Sequence, residues 1–214
     1  MHTTVFLQES IQALNISPGK TYIDATYGEG GHTQAIIDNG GTVLAIDADK
    51  NQVAKGLERN HKVIQGLFKD IVAIAHEHNL ESVDGILFDF GLSMEQLSKS
   101  GKGFSYKNNQ EPLDMRLGEE GETAAELLNV LQGEELISGI MKYSEEKYSI
   151  DIAKRILGHR RKKPFATVGD LKRVIDQIVP EEEPRHKVYA RIFQAVRIIT
   201  NSELEQIQQA LDGA

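Results

Sequence analysis

The 214-residue sequence contains no cysteine. Disulfides and thiolate metal sites are therefore excluded, and a reducing compartment fits. No apolar run approaches the ~18 residues of a membrane span. The N-terminus lacks the basic region followed by an apolar stretch that marks a secretory leader. The expectation is a cytoplasmic protein with no membrane contact. His76 and His78 flank Glu77, but residues two apart do not share a helix face and no third ligand lies near, so no metal is expected. Asp89-Phe90-Gly91 spells the metal-binding tripeptide of kinases. With no kinase glycine loop, strand lysine or His-Arg-Asp loop beside it, the match is chance.

What remains is an ordinary globular composition, 40% apolar and 26% charged, in a length suited to one domain or one domain carrying a sizeable insertion. The net charge of −8 is unevenly spread. Residues 1–150 hold 12 basic and 23 acidic side chains, a balance of −11, whereas 151–214 hold 12 and 9, a balance of +3. The second part contains the cluster His159, Arg160, Arg161, Lys162 and Lys163. A local basic face on an acidic protein suits a polyanion such as RNA, while the plainer alternative is a solvated helix end favoured by the helix dipole.

The chain is organised around residues 21–47. Thr21 to Thr26 alternates like a buried strand and breaks into Tyr27-Gly28-Glu29-Gly30-Gly31-His32; a helical run from about Thr33 to Asp38 follows, and a second strand, Thr42 to Ile46, ends on Asp47. Strand, glycine turn, helix, strand and acid in that order predict the first unit of a nucleotide-binding α/β sheet. Asp47 lies ~20 residues past the loop, where a carboxylate can accept both hydrogens of a ribose diol. Thr33 stands where the dinucleotide fingerprint needs its third glycine, and the Gly-Lys-Ser/Thr of a P-loop is missing. The pattern suits a ligand with an adenosine but no pyrophosphate, such as S-adenosylmethionine. A nucleotide-dependent oxidoreductase is disfavoured by Thr33 and by the lack of a recognisable hydride-transfer site.

Along the chain, residues 2–14 carry a helical stripe of Val5, Leu7, Ile11 and Leu14. Asp49 is placed to cap a helix running to about Arg59, Lys62 to Gly66 reads as a third strand, and Phe68 opens a helix ending near His78. Val83 to Phe90 reads as a fourth strand, buried on both faces. Asp24, Asp47 and Asp89 all fall at or near strand ends, where an open parallel sheet binds ligands; Asp24 is read equally as a brace for the glycine loop. From Gly91 to Arg116 a long glycine-punctuated loop carries Phe104 and Tyr106 near Lys102 and Lys107, a mixture able to stack on a base and hold a phosphate, or simply to tack the loop down. Only helices follow Gly121: Thr123–Leu131, Glu134–Tyr143, a long helix from about Ser144 with Glu145 and Glu146 in its first turn, one started by Thr167-Val168-Gly169-Asp170 and running to Val179, one striped by Val188, Ile192, Ala195 and Ile199, and Ser202–Leu211.

On the blocks DATYGEGGHT (24–33), VDGILFDFGLSMEQL (83–97), GFSYKNNQEPLDMRL (103–117), YSEEKYSIDIAKRI (143–156) and RIFQAVRIITNSEL (191–204), the chain resembles the bacterial small-subunit ribosomal RNA cytosine-N4 methyltransferase H family, also called MraW. The resemblance runs from His2 to Leu211. It implies a class I S-adenosylmethionine methyltransferase fold, α/β and Rossmann-like with a mostly parallel sheet, over residues 1–120. Residues 121–214 are then an all-helical inserted domain for substrate recognition. The implied reaction methylates the N4 amine of a cytidine in 16S rRNA of the small ribosomal subunit. Cofactor positions carry over at Gly30, Gly31, His32, Asp47, Phe68, Asp89 and Gln96.

Asp89 is also the candidate acceptor for the N4 hydrogen, and Phe104 or Tyr106 the candidate to stack a flipped base. Arg116, Arg160, Arg161, Lys162 and Lys163 are candidate RNA contacts. The chain departs from the family pattern at Met94-Glu95, Lys102, Tyr106 and Tyr148, and at His186, which is one residue out of place. Family members continue past NSEL with further strands and an HSLEDR-like block, so a sheet incomplete relative to the family is expected. The alternative function is a truncated, non-catalytic remnant that binds cofactor or RNA without turnover.

Overall fold

The computed structural model describes residues 4–214. Its contacts divide the chain into two compact units: a sheet unit of Met1–Met94, Leu117–Glu119 and Leu204–Ala214, and a helical unit of Glu95–Arg116 and Glu120–Glu203. A single cut at residue 120 separates the domains in the sequence reading; the contacts instead assign 95–116 to the helices and 204–214 to the sheet.

In the sheet unit, α1 (Leu7–Leu14) precedes β1 (Thr21–Asp24), α2 (Gly31–Asp38), β2 (Thr42–Asp47), α3 (Lys50–Glu58) and β3 (Val63–Gln65). A 3-10 turn at Phe68–Asp70 then leads into α4 (Ile71–Glu77), β4 (Gly85–Leu87) follows, and α11 (Glu203–Asp212) belongs here except for its first residue. All strand pairs are parallel and the order is β3-β2-β1-β4, so strand order reverses beside β1. Alternation along the strands separates two apolar faces. Ile23, Leu44 and Ile46 join Ile71 and Ile74 of α4 on one. Tyr22 and Val43 join Ile36 of α2 and Ile11 and Leu14 of α1 on the other, which Ala45 extends towards Val53 of α3.

Several sequence expectations are corrected here. The N-terminal helix begins at Leu7, so Val5 lies outside it and is exposed; His2 and Thr3 lie outside the described residues. The fourth strand pairs only over Gly85–Leu87 and is not buried on both faces. It occupies an end of the strand order, where Gly85 and Ile86 remain half-exposed. The helix expected from Phe68 starts with the 3-10 turn, and the expected loop after Gly91 contains a short helix, α5 (Met94–Lys99).

The helical unit packs α7 (Gly133–Ser144) against α8 (Ser149–Arg160) and α10 (Arg185–Asn201), with α6 (Ala124–Val130) and α9 (Val168–Asp176) completing it. Leu128, Leu136, Ile140, Ile152, Ile156, Leu171, Val174 and Ile192 are its fully buried core. The helix expected from Ser144 begins only at Ser149. Glu145 instead caps α7 in the left-handed conformation. Glu146 is buried; it accepts from Arg191 at 2.9 Å and from the amide of Tyr148, the residue capping α8, at 3.4 Å, so it lies ahead of the helix rather than in its first turn. Capping boxes at Thr123/Glu126 and Thr167/Asp170 start α6 and α9. Among the described residues, no helix is long and apolar enough to cross a membrane.

Candidate functional site

The carboxyl ends of the four strands gather Asp24, the glycine loop, Asp47, Phe68 and Asp89 at one edge of the sheet unit. Main-chain bonds fix this edge. Tyr27 N–H donates to the Ile46 carbonyl at 2.8 Å and Ala25 N–H to the Leu87 carbonyl at 2.9 Å. Asp24 is fully buried. Its carboxylate accepts from the Thr33 hydroxyl at 2.6 Å and the Thr26 amide at 3.2 Å. Thr33, the residue that breaks the dinucleotide fingerprint, therefore ties α2 to the end of β1, and Asp24 is the loop's brace. Burial pushes the Asp24 carboxyl up, against the bonds from Thr33 and Thr26.

Gly30 has φ +77° and its missing Cβ leaves room for the Tyr27 ring; at Gly31 the same space is filled by the Thr4 side chain. A Cβ at either position would crowd the protein's own side chains, and at Gly30 the positive φ favours glycine as well.

Asp47 is 9% exposed. Its Oδ2 accepts from the Gly28 amide at 2.7 Å and its Oδ1 from the Asp49 amide at 2.8 Å. Each oxygen keeps a second lone pair, so the carboxylate can still accept two hydroxyl hydrogens. Burial raises its pKa to about 6, only partly offset by the two amide bonds. His32 is also buried, and its Nε2 has no hydrogen-bond partner among the described residues. A buried polar atom without a partner at the start of α2 is a donor or acceptor that a ligand can satisfy.

Phe68, just past β3, meets Phe90 edge-on at 5.1 Å, and Phe90 stacks on Phe88 at 5.2 Å. Phe88 and Phe90, past β4, stand outside the sequence expectations for this site, because the alternation Phe88-Asp89-Phe90 beyond an apolar run reads simply as more strand. Asp89 is exposed, and its amide donates to the Thr26 hydroxyl at 2.7 Å. Of the expected cofactor positions, Gly30, Gly31, His32, Asp47, Phe68 and Asp89 share this unit, whereas Gln96 lies on α5 of the helical unit.

The expected RNA residues fall in the helical unit, where several serve its own structure. Phe104 is only 7% exposed and leaves no open face for a base. Tyr106 is half-buried and packs on Tyr189 and Phe193. Arg116 grips Asp114 through Nε at 2.8 Å and Nη2 at 2.9 Å. Arg160 donates to the Leu128 carbonyl at 2.9 Å, and Lys163 to Asp170 at 2.7 Å. Arg161 and Lys162 are exposed.

A family model described as the MraW methylase family matches residues 1–214. The chain belongs to the MraW methylase family. Among its relatives, proteins named ribosomal RNA small subunit methyltransferase H occur in Dictyoglomus thermophilum, at 39% identity over 99% of this chain and 74% of that one, and in Idiomarina loihiensis, at 39% over 100% and 70%. The protein of that name in Deinococcus deserti is 36% identical over 100% of this chain and 72% of its own. In this member of the family the parallel sheet with helices on both faces is a Rossmann-like class I methyltransferase fold. The edge that holds Asp47 and the glycine loop is its candidate active site.

Proposed function

We propose that this chain is an S-adenosylmethionine-dependent methyltransferase of small-subunit ribosomal RNA, acting on the N4 amine of a cytidine in the cytoplasm. The observation that carries the reading is Asp47. A buried carboxylate at the end of β2, oriented by two loop amides and with one lone pair free on each oxygen, suits a ribose diol. The unpartnered His32 Nε2 and the Phe68–Phe90 pair add a polar contact and an aromatic surface for the rest of an adenosine.

S-adenosylmethionine, when bound, supplies a methyl group activated on a sulfonium sulfur. The chain's part is to orient the acceptor amine, whose lone pair is delocalised into the cytosine ring, because orientation alone can lower a barrier substantially. Asp89, exposed beyond β4 with its backbone pinned by Thr26, can accept a hydrogen bond from the exocyclic amine and then hold its proton. The sheet unit then binds the cofactor. The helical unit recognises the RNA, with exposed Arg161 and Lys162 as phosphate contacts. Names of relatives that specify small-subunit ribosomal RNA support this substrate class.

The test is methyl transfer from labelled S-adenosylmethionine to small ribosomal subunits lacking the modification, with the product nucleoside identified by mass. Label in N4-methylcytidine, reduced at least 100-fold by Asp89→Asn, is the expected result. Label in another nucleoside overturns the N4 assignment, and undiminished turnover by Asp89→Asn overturns its acceptor role. Cofactor binding without any turnover makes the chain a binding remnant.

A further inference from the structure

Residues 59–61, between α3 and β3, hold the glycine loop from behind. Arg59 Nη1 donates to the Glu29 carbonyl at 2.6 Å. Tyr27, 3% exposed, fills the space that a Cβ on Gly30 would take, and its hydroxyl lies 3.0 Å from Nδ1 of His61. Nε2 of His61, itself 5% exposed, lies 3.0 Å from Oε1 of Gln34 on α2. The other end of that amide donates to Asp38 at 2.9 Å, which fixes which atom faces the histidine.

The direction of every bond follows. Oε1 only accepts, so Nε2 of His61 carries a hydrogen; in the neutral ring Nδ1 then carries a lone pair, and the Tyr27 hydroxyl donates to it. The chain runs one way, from the loop through His61 and Gln34 to the Asp38 carboxylate. An imidazolium has hydrogens on both nitrogens, so it could only donate to the Tyr27 oxygen and would leave the hydroxyl hydrogen without an acceptor, the neighbouring Arg59 guanidinium offering only donors. Burial and the neighbouring Arg59 hold the His61 pKa below the ordinary histidine value, while Asp38 acts in the opposite sense.

We propose that Tyr27, His61 and Gln34 form a positioning relay that holds the glycine loop in its cofactor-binding conformation only while His61 is neutral. The relay presupposes the S-adenosylmethionine site proposed above. It contributes through the loop rather than by touching the ligand. Because linkage is reciprocal, a ligand that needs the ordered loop must in turn favour neutral His61.

The experiment is nitrogen-15 NMR of the histidine side chains in the full chain, titrated with acid in the absence and presence of saturating S-adenosylhomocysteine. That probe lacks the sulfonium charge, which removes this source of direct repulsion, and the Tyr27→Phe variant below reports whatever direct effect its amino-acid charges leave. Above pH 7 the expected signature is hydrogen on Nε2 only. The ligand should lower the His61 midpoint by roughly 0.5–1 unit, equivalent to ~3–10-fold tighter binding to the neutral form. Tyr27→Phe should leave His61 titrating but abolish the ligand-induced shift. A His61 hydrogen on Nδ1, a midpoint that does not move although other resonances respond to ligand, or an unchanged shift in Tyr27→Phe overturns the relay alone. No response at any resonance removes the cofactor site and the relay with it.

Discussion

Asp47 concentrates the chemistry of the sheet unit in one side chain. Its burial raises the carboxyl to about 6 in the free protein, so the acid holds its proton more tightly folded than unfolded. Two consequences of sign follow. The group's contribution to folding becomes less favourable as pH rises from about 4 towards 6. Binding to a diol requires the carboxylate, so affinity for S-adenosylmethionine should fall as pH drops below about 6, by up to tenfold per unit, as calorimetry at stepped pH would record. A flat profile from pH 7.5 to 5 contradicts the role. Asp170 shows the opposite balance. Its burial opposes ionisation, but Lys163, the Thr167 amide and Arg173 outweigh that and hold the carboxyl well below the usual range. Its stabilisation is present above the unfolded pKa and is lost as pH falls through the lower folded value. Asp170→Ala should cost about 2–4 kcal/mol in urea unfolding at pH 7, combining a lost cap with lost charged hydrogen bonds. A loss under 1 kcal/mol contradicts the account.

At the scale of elements, the glycine loop is held by its own protein before any ligand arrives. Gly30→Ala places a methyl against the Tyr27 hydroxyl at φ +77°, which should cost about 1–3 kcal/mol and weaken cofactor binding at least tenfold. A variant with wild-type affinity and melting temperature would show that the loop tolerates the strain. The first four elements around this loop were legible in sequence because β1 and β2 are short apolar runs bounded by turns, and Asp49 caps α3 at 2.9 Å as its position predicts. β4 and α8 were misjudged for a common reason, that long-range pairing decides them. Pairing with β1 ends at Leu87, although apolar character continues to Phe88 and Phe90. Glu146 accepts from Arg191, 45 residues away, as well as from the Tyr148 amide just ahead of α8. The Tyr27–His61 contact spans 34 residues with no local pattern to announce it.

For the whole molecule, the split between an acidic first part and a basic second part was readable from charge alone, but the share of cations left for a partner was not. Arg160 and Lys163 have internal bonds, whereas Arg161 and Lys162 are exposed. Replacing Arg161 and Lys162 by alanine should therefore reduce the slope of log affinity against log salt for ribosomal RNA by roughly 1.5 with little change in melting temperature. Arg160→Ala should lower stability by ~1 kcal/mol instead, because it strips the Leu128 carbonyl of its donor. Equal effects of the two changes on the salt slope would contradict that division.

The most direct test of the central claim, that the edge carrying Asp47 is an S-adenosylmethionine site, is isothermal titration of the 214-residue chain with S-adenosylmethionine, beside NAD and an Asp47→Ala variant. Saturable one-to-one binding of S-adenosylmethionine, no heat with NAD, and affinity roughly 10–100-fold weaker in Asp47→Ala are predicted from the loss of two charge-assisted hydrogen bonds. A folded chain that binds NAD in preference, or whose affinity for S-adenosylmethionine survives Asp47→Ala unchanged, contradicts the claim.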